Sequence, residues 1–137
     1  MDMKEIVIKK GKIIMKICIT SEGRTLDSKV DPRFGRCQNF IFFDIETGNF
    51  EVEENYNSQF QGGAGIQSAQ LVVSKGIKAV LTGNVGPNAH QVLSAAGVLI
   101  FTGVSGEVKQ AIESYKNGKY QQADSATVGS KFGMPHK

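Results

Sequence analysis

The chain has little cysteine, no tryptophan and no long apolar run. Cys18 and Cys37 are the two cysteines among 137 residues. They are too few and too far apart for a disulfide framework or a Cys-x-x-Cys metal knuckle, so both are expected to be thiols. No apolar run approaches the roughly 18 residues that a membrane-spanning helix needs. Charged residues between Asp2 and Lys12 interrupt the apolar core that a secretory signal would have. These absences predict a cytoplasmic protein with no membrane partner.

The charge is also unremarkable in sign and size. The formal net charge is +3, with 16 Lys and Arg against 13 Asp and Glu. This mild excess does not indicate a nucleic-acid partner, and the basic cluster at residues 9–12 is expected to be a solvated turn. Hydrophobic residues make up 40% of the chain, and there are 16 glycines. A chain of this length and composition predicts one domain with a real core and many tight turns.

Five apolar segments predict the strands of a single sheet, and three segments with helical periodicity follow the third strand. The predicted strands are residues 17–20, 40–43, 50–54, 79–81 and 98–101, and the predicted helices are 66–73, 87–96 and 108–115. A long loop and a hairpin join the first three strands into an antiparallel meander, whereas helical crossovers make the last strands parallel. The prediction is an α/β, ribonuclease H-like fold with a five-stranded mixed sheet of order 3-2-1-4-5, its second strand antiparallel, and three helices.

The ends of the chain are predicted to lie outside this domain. Residues 1–14 are interpreted as an N-terminal extension, although their apolar residues also flank a turn and could form a small hairpin. Residues 15–118 form the predicted domain. Residues 119–137 lose apolar periodicity and are rich in Gln, Ser, Gly and Lys, which predicts a flexible C-terminal tail.

The connectivity predicts where a ligand would bind. The three predicted helices begin at the same end of the sheet, and the loop of residues 21–38 leaves and re-enters there. The winding of the sheet reverses between the first and fourth strands, which is where open α/β sheets bind ligands. The turn of residues 83–86, followed by Pro87 at a helix start, would present backbone N–H groups to that site.

The residue types at this end favour an anionic metal cluster. Arg33, Arg36 and the helix N-termini suit an anion. Two guanidinium groups beside Cys37 are expected to lower the pKa of its thiol, and thiolate and imidazole are ligands that soft metals and iron–sulfur clusters select. His90, on the first turn of its helix, supplies the imidazole. A phosphate ligand would leave Cys37 unexplained.

Simpler interpretations of the same residues stay open. Cys37 is equally interpretable as an ordinary loop thiol, and His90 as a surface histidine beside an apolar stripe. The two arginines could instead brace their own loop by pairing with a nearby acidic residue. The candidate acidic residues are Glu22, Asp27 and Asp31.

Three motifs resemble the dinitrogenase iron–molybdenum cofactor biosynthesis domain family. They are DPRFGRC at residues 31–37, GGAG at 62–65 and TGNVGPNA at 82–89, and the resemblance runs from about residue 15 to about residue 118. It implies a ribonuclease H-like fold and a nitrogenase-accessory role in binding or carrying the iron–molybdenum cofactor or its iron–sulfur precursors. Cofactor donor or recipient proteins are then the implied partners.

The chain departs from this family at several implied ligand positions. Several family members carry histidines where this chain has Arg33 and Arg36, and another histidine often stands just ahead of the glycine loop, where this chain has Gln59 and Gln61. Cys37 and His90 are therefore the predicted metal ligands, and a cluster bridging two subunits of a homodimer is a further hypothesis. The predicted cofactor-binding residues are Arg33, Phe34, Gly35, Arg36, Gly62, Gly63, Gly65, Gly83, Asn84, Gly86 and Asn88.

The predicted function is a non-catalytic carrier of an iron–sulfur or iron–molybdenum type cluster in metallocofactor assembly. No catalytic residue is assigned. A metal-dependent nuclease would need clustered carboxylates, one usually on the first strand, and residues 17–20 contain none. The alternative is a small anion- or nucleotide-binding regulatory or protein-interaction module, which would not need a metal or Cys37.

Overall fold

The computed structural model describes residues 7–9, 12–56, 62–123 and 126. Strands and helices alternate only after the first five strands. In chain order the elements are β1 (Val7–Lys9), β2 (Lys12–Ile14), β3 (Lys16–Ser21), β4 (Asn39–Asp44), β5 (Phe50–Glu54), α1 (Ala64–Ser74), β6 (Ala79–Leu81), α2 (Pro87–Ala95), β7 (Leu99–Phe101) and α3 (Val108–Lys116).

Strands β3 to β7 form one five-stranded sheet of order β5-β4-β3-β6-β7. β4 is antiparallel to both β3 and β5, whereas β3, β6 and β7 are parallel to one another. Counted from β3, this is the predicted order 3-2-1-4-5 with an antiparallel second strand and three helices, so that prediction is confirmed. The finer assignment to a ribonuclease H-like fold stays a prediction.

The N-terminal segment forms its own small sheet. β1 and β2 pair antiparallel in a separate two-stranded sheet, with Val7 opposite Ile14 and Lys9 opposite Lys12. The hairpin that the sequence left open for this segment is therefore present, and it lies outside the five-stranded sheet. Residues 1–6 of the predicted extension lie outside the described residues.

Both faces of the sheet are buried, because alternate residues of its central strands enter different cores. Cys18, Phe40 and Phe42 belong to the core that includes residues of α1 and α2. Ile17 and Ile41 belong to the core that includes residues of α3. β3 is the middle strand of the sheet, and because β3, β6 and β7 are parallel their C-terminal ends lie at one end of it.

The segment after α3 departs from the predicted flexible tail. Gln122 pairs with Phe101 in an antiparallel bridge beside β7. The backbone N–H of Ala123 donates to the Ile100 carbonyl at 2.7 Å. A tail beginning at residue 119 is thus wrong for these residues, because the exposed edge of β7 offers them hydrogen-bond partners. Residues 124–125 and 127–137 lie outside the described part of the chain.

Candidate functional site

A cavity of about 380 Å³ opens at the end of the sheet where the sequence predicts a ligand. Three segments surround it: the loop between β3 and β4, the start of α1, and the turn that leads into α2. Its lining residues are Arg33, Phe34, Arg36, Gly63, Ala64, Gly65, Ile66, Asn84, Gly86, Pro87, Asn88 and Ala89. The site therefore draws on segments that are far apart in the sequence, from Arg33 to Ala89, because the sheet order brings them together.

Most of the predicted cofactor-binding residues lie around this cavity. Of that set, Gly35, Gly62 and Gly83 are outside the lining. The structure thus brings the DPRFGRC, GGAG and TGNVGPNA motifs together. Whether the lining residues bind a cofactor stays a prediction.

Gly35 and Gly83 support the cavity by allowing close backbone contacts. A Cβ atom at Gly35, whose φ is +95°, would lie 3.0 Å from the Gly65 Cα atom. A Cβ atom at Gly83 would lie 2.7 Å from the Pro32 Cα atom. Each glycine is therefore required where two of the three cavity segments meet, rather than for contact with a ligand.

Backbone hydrogen bonds join the loop between β3 and β4 (residues 22–38, called the arginine loop below) to the turn before α2. The N–H of Asn84 donates to the Pro32 carbonyl at 2.7 Å, and the N–H of Phe34 donates to the Asn84 carbonyl at 3.1 Å. Arg33 and Asn84 form a parallel bridge. These main-chain hydrogen bonds hold the arginine loop and the turn before α2 at a fixed distance across the cavity. They depend on the shape of the backbone and not on the side chains at these positions.

Asp31 organises the arginine loop from below. Its carboxylate is 1% exposed, and Oδ1 accepts hydrogen bonds from the Arg33 backbone N–H at 3.1 Å and from Arg33 Nε at 3.2 Å. Thr20 Oγ1 donates to the Asp31 carbonyl at 2.6 Å. Hydrogen bonding with Asp31 is the main cause that raises the pKa of Arg33. Arg33 therefore both braces its loop, as the alternative interpretation suggested, and lines the cavity.

Cys37 does not have the environment predicted for it. The side chain is buried in the α1–α2 core, and Asn55 Nδ2 lies 3.7 Å from its Sγ atom. Burial, together with a smaller influence of the nearby Asp31 charge, raises the pKa of Cys37 to about 12. The predicted lowering of this pKa is wrong, because loss of water around the thiol outweighs the hydrogen bonds from Asn55 and the backbone that favour the thiolate.

His90 lies on the far side of the α2 start. Its Nε2 atom is 3.4 Å from the Ala123 carbonyl oxygen, and its Nδ1 atom is 3.4 Å from Ser94 Oγ. Neither His90 nor Cys37 lines the cavity. In the described residues no group of three or more His, Cys, Asp or Glu side chains could hold a metal ion. Metal ligation by Cys37 and His90 thus stays a prediction that this arrangement does not favour.

The cavity is suited to a negatively charged ligand. α1 begins after Gly63 and α2 begins after Gly86, and neither helix has a side-chain cap or an acidic residue in its first turn. Arg33 and Arg36 are the charged side chains among the lining residues. Helix N-termini and guanidinium groups both donate hydrogen bonds and both carry positive charge. The apolar contacts come from Phe34, Ile66 and Ala89.

The sequence interpretation did not single out some residues that matter to this site. Asn55 is buried and donates from Nδ2 to the carbonyls of Gly35 and Cys37, both at 3.0 Å. Ser68 Oγ donates to the Gly35 carbonyl at 3.4 Å. These contacts join positions far apart in the chain, so no local pattern marks them. Asp31 did carry a signal, since an Asp two residues before another residue often binds that residue's backbone N–H.

The sequence matches the family described as dinitrogenase iron-molybdenum cofactor over residues 15–118. The chain belongs to this family. No helix in the described part of this family member is long and apolar enough to cross a membrane.

Three relatives show how closely the chain resembles known proteins. The apo form of the orange protein from Desulfovibrio gigas is 37% identical, with a TM-score of 0.81 over 84% of this chain and 98% of that one. A Thermotoga protein provisionally assigned as a NifB protein is 37% identical, with a TM-score of 0.74 over 83% and 97% of the two chains. An uncharacterised protein of Methanocaldococcus jannaschii is 29% identical over 113 residues, which cover 80% of this chain and 96% of the relative.

Proposed function

We propose that this protein is a non-catalytic carrier that binds an anionic metal–sulfur cluster of the iron–sulfur or iron–molybdenum type. The cavity would hold the cluster between its donor and recipient proteins in metallocofactor assembly. Membership of the dinitrogenase iron-molybdenum cofactor family supports this cargo. The single observation that carries the proposal is the cavity itself, which combines Arg33 and Arg36 with two helix starts that lack side-chain caps.

The lining offers hydrogen-bond donors rather than metal ligands. Guanidinium groups and backbone amides donate to anions but do not coordinate metals, and the lining residues within the described part of the chain include no thiol, imidazole or carboxylate. A bound cluster would therefore keep its own sulfide ligands, whose outer surface would accept hydrogen bonds from these donors. A volume of about 380 Å³ lies within the usual range for small-ligand sites.

This mode of binding suits a carrier. A cluster held by charge and hydrogen bonds can leave without exchange of a protein ligand, so transfer to a recipient need not break a metal–thiolate bond. The buried, protonated Cys37 thiol supports the same interpretation, because it offers no ready thiolate at neutral pH.

A second candidate is an anion- or nucleotide-binding module without metal. The same observation favours it, since donors without metal ligands also suit phosphate groups. Protection against thermal unfolding by phosphate or a nucleotide, but not by metal and sulfide, would support this second function.

The deciding experiment is loading under anaerobic conditions. The purified protein is offered molybdate with sulfide, with and without Fe²⁺, and then separated from free ions by gel filtration. We expect metal and visible absorbance to co-elute with the protein, and an Arg36→Ala variant to lose most of both. Lys109→Ala is the matched control, because Lys109 pairs with Asp27 at 2.7 Å and lies outside the cavity. Protein that elutes without metal under every condition would contradict the carrier function.

A further inference from the structure

Asp31 places a fixed negative charge directly behind a cavity arginine. Besides the contacts of Oδ1 with Arg33, its Oδ2 atom lies 3.4 Å from Arg33 Nη2 and accepts from the Gln38 backbone N–H at 3.1 Å. The Asp31 side chain is 1% exposed, whereas the Arg33 side chain is 58% exposed. The carboxylate is therefore shielded from solvent, while the guanidinium group that it contacts is open to the cavity.

Hydrogen bonds with Thr20 on β3 set the position of the Asp31 residue. The Asp31 backbone N–H donates to the Thr20 carbonyl at 2.9 Å. Thr20 Oγ1 also lies 2.8 Å from Thr82 Oγ1, at the end of the neighbouring strand β6. Asp31 is therefore held on β3 through two hydrogen bonds with Thr20, which is itself in contact with Thr82, and this fixes the place of its charge behind Arg33.

We infer that Asp31 is a specificity-determining residue of the cavity, which favours large anions of low charge over compact polyanions by offsetting the charge of Arg33. This inference rests on the proposed function and narrows its ligand class to sulfide-coordinated metal anions rather than diphosphate-like groups. Coulomb attraction scales with the charge of the ligand, whereas the strength of amide hydrogen bonds and apolar contacts depends on the size and shape of the ligand. Removing one unit of positive charge thus weakens the binding of a polyanion more than that of a dianion.

Substitutions at Asp31 and Arg33 can change the charge of the site by one unit at a time with little change in side-chain shape. Relative to the wild type, Asp31→Asn adds one positive charge, Arg33→Gln removes one, and the double variant restores the original total. The probes are tetrathiomolybdate, a large dianion, and pyrophosphate, a compact polyanion. Dissociation constants are measured by calorimetry at a fixed ionic strength and again at higher salt.

We expect the ratio of the dissociation constants for tetrathiomolybdate and pyrophosphate to change with the net charge of the Asp31–Arg33 pair. Asp31→Asn should shift the ratio about tenfold towards pyrophosphate, and Arg33→Gln should shift it the other way by a similar factor. The double variant should return close to the wild-type ratio. The salt dependence of pyrophosphate binding should also steepen in Asp31→Asn, which a purely structural role for Asp31 would not produce.

The outcomes separate this inference from the function on which it rests. If the wild type binds neither probe, the proposed function and the inference fall together. If the wild type binds tetrathiomolybdate and the ratio is the same in every folded variant, only the inference is overturned. Should Asp31→Asn fail to fold by circular dichroism, the double variant is compared with Arg33→Gln, because these two differ only at Asp31, and an equal ratio in both would overturn the inference.

Discussion

The side-chain nitrogen of Asn55 bridges the Gly35 and Cys37 carbonyl groups of the arginine loop. Its Nδ2 donates to the carbonyl oxygens of Gly35 and Cys37 at 3.0 Å each, and the Asn55 residue is 3% exposed. The residue stands directly after β5, and its backbone N–H also donates to the Gln38 carbonyl at 3.0 Å. One buried amide therefore closes the loop that carries both cavity arginines.

Asn55→Ala is expected to destabilise the fold and loosen the cavity. The substitution leaves two buried carbonyl groups without this donor, and one such loss costs about 1–3 kcal/mol. Urea denaturation should therefore show a lower midpoint with little change in slope. Asn49→Ala, in the exposed turn before β5, is the control and should stay within about 0.5 kcal/mol of the wild type. Equal stabilities of the two variants would contradict the bracing role of Asn55.

Gly83→Ala should lower the stability of the fold far more than Gly62→Ala does, although both glycines lie in glycine-containing motifs. The new Cβ atom at Gly83 would lie 2.7 Å from Pro32 Cα and 2.8 Å from the Pro32 carbonyl oxygen, so the two cavity walls must separate. Such overpacking costs about 1–3 kcal/mol. At Gly62, among the described residues other than its chain neighbours, no atom lies within 4 Å of the added methyl group. Thermal unfolding of the two variants checks this, and a Gly62→Ala variant that is the less stable would disprove it.

The stability of the fold should decline at alkaline pH because of Cys37. Its folded pKa of about 12 is above the ordinary thiol value of 9.0, so the folded state holds this proton more tightly than the unfolded state does. The stabilisation is therefore complete below about pH 9 and is lost as pH rises towards 12, by up to about 1.4 kcal/mol per pH unit.

Cys37→Ala isolates this contribution. Burial also raises the pKa of Cys18 and of Tyr115, so the wild type should lose stability from several groups at once. The slope of unfolding free energy against pH should be shallower in Cys37→Ala than in the wild type between pH 9 and 11. Parallel slopes would show that the Cys37 thiol ionises as readily in the folded protein as in the unfolded chain.

Cluster loading should survive the loss of Cys37. The thiol is buried outside the cavity lining, so Cys37→Ala removes no donor from the proposed site. Cys18→Ala is the matched control, since Cys18 is a second buried thiol in the same core. Metal content per protein should be similar in both variants and in the wild type. Loss of metal from Cys37→Ala alone, with its fold retained, would instead support the thiolate ligation predicted from sequence.

Iron-dependent dimerisation is the corresponding test of the homodimer hypothesis. Donors within one chain surround the cavity, so loaded protein is expected to elute as it does without metal in size-exclusion chromatography. A shift to twice the mass that requires iron and Cys37 would contradict this and favour a cluster shared between two subunits.

The strand order was predictable because it depends on short-range features. The hairpin between β4 and β5 and the helical crossovers to β6 and β7 each restrict how neighbouring strands can pair. The meeting of the three motifs at one end of the sheet followed from that order. Pairing of Arg33 with Asp31 was also open to sequence reasoning, since the two residues are separated only by Pro32 in the same loop.

Side-chain direction was not predictable in the same way. Cys37 and Arg36 are neighbours in the loop, yet Cys37 is buried in the core and Arg36 lines the cavity. His90 follows Ala89 on α2, and one step of about 100° around the helix separates a cavity residue from one that contacts Ala123. Long-range contacts with Asn55 and the core decide these directions, and no local pattern encodes them.

Sequence alone thus determined the family, the mixed sheet and the end of it where a ligand would bind, because connectivity and glycine-marked turns are local properties. Tertiary structure alone decided the chemistry of that site. It buried Cys37 and raised its pKa, turned His90 towards the C-terminal segment, and set Asp31 behind Arg33. Burial and charge pairing depend on which residues meet across the fold, so hydrogen-bond donors line the cavity, while metal ligation by Cys37 and His90 stays a prediction.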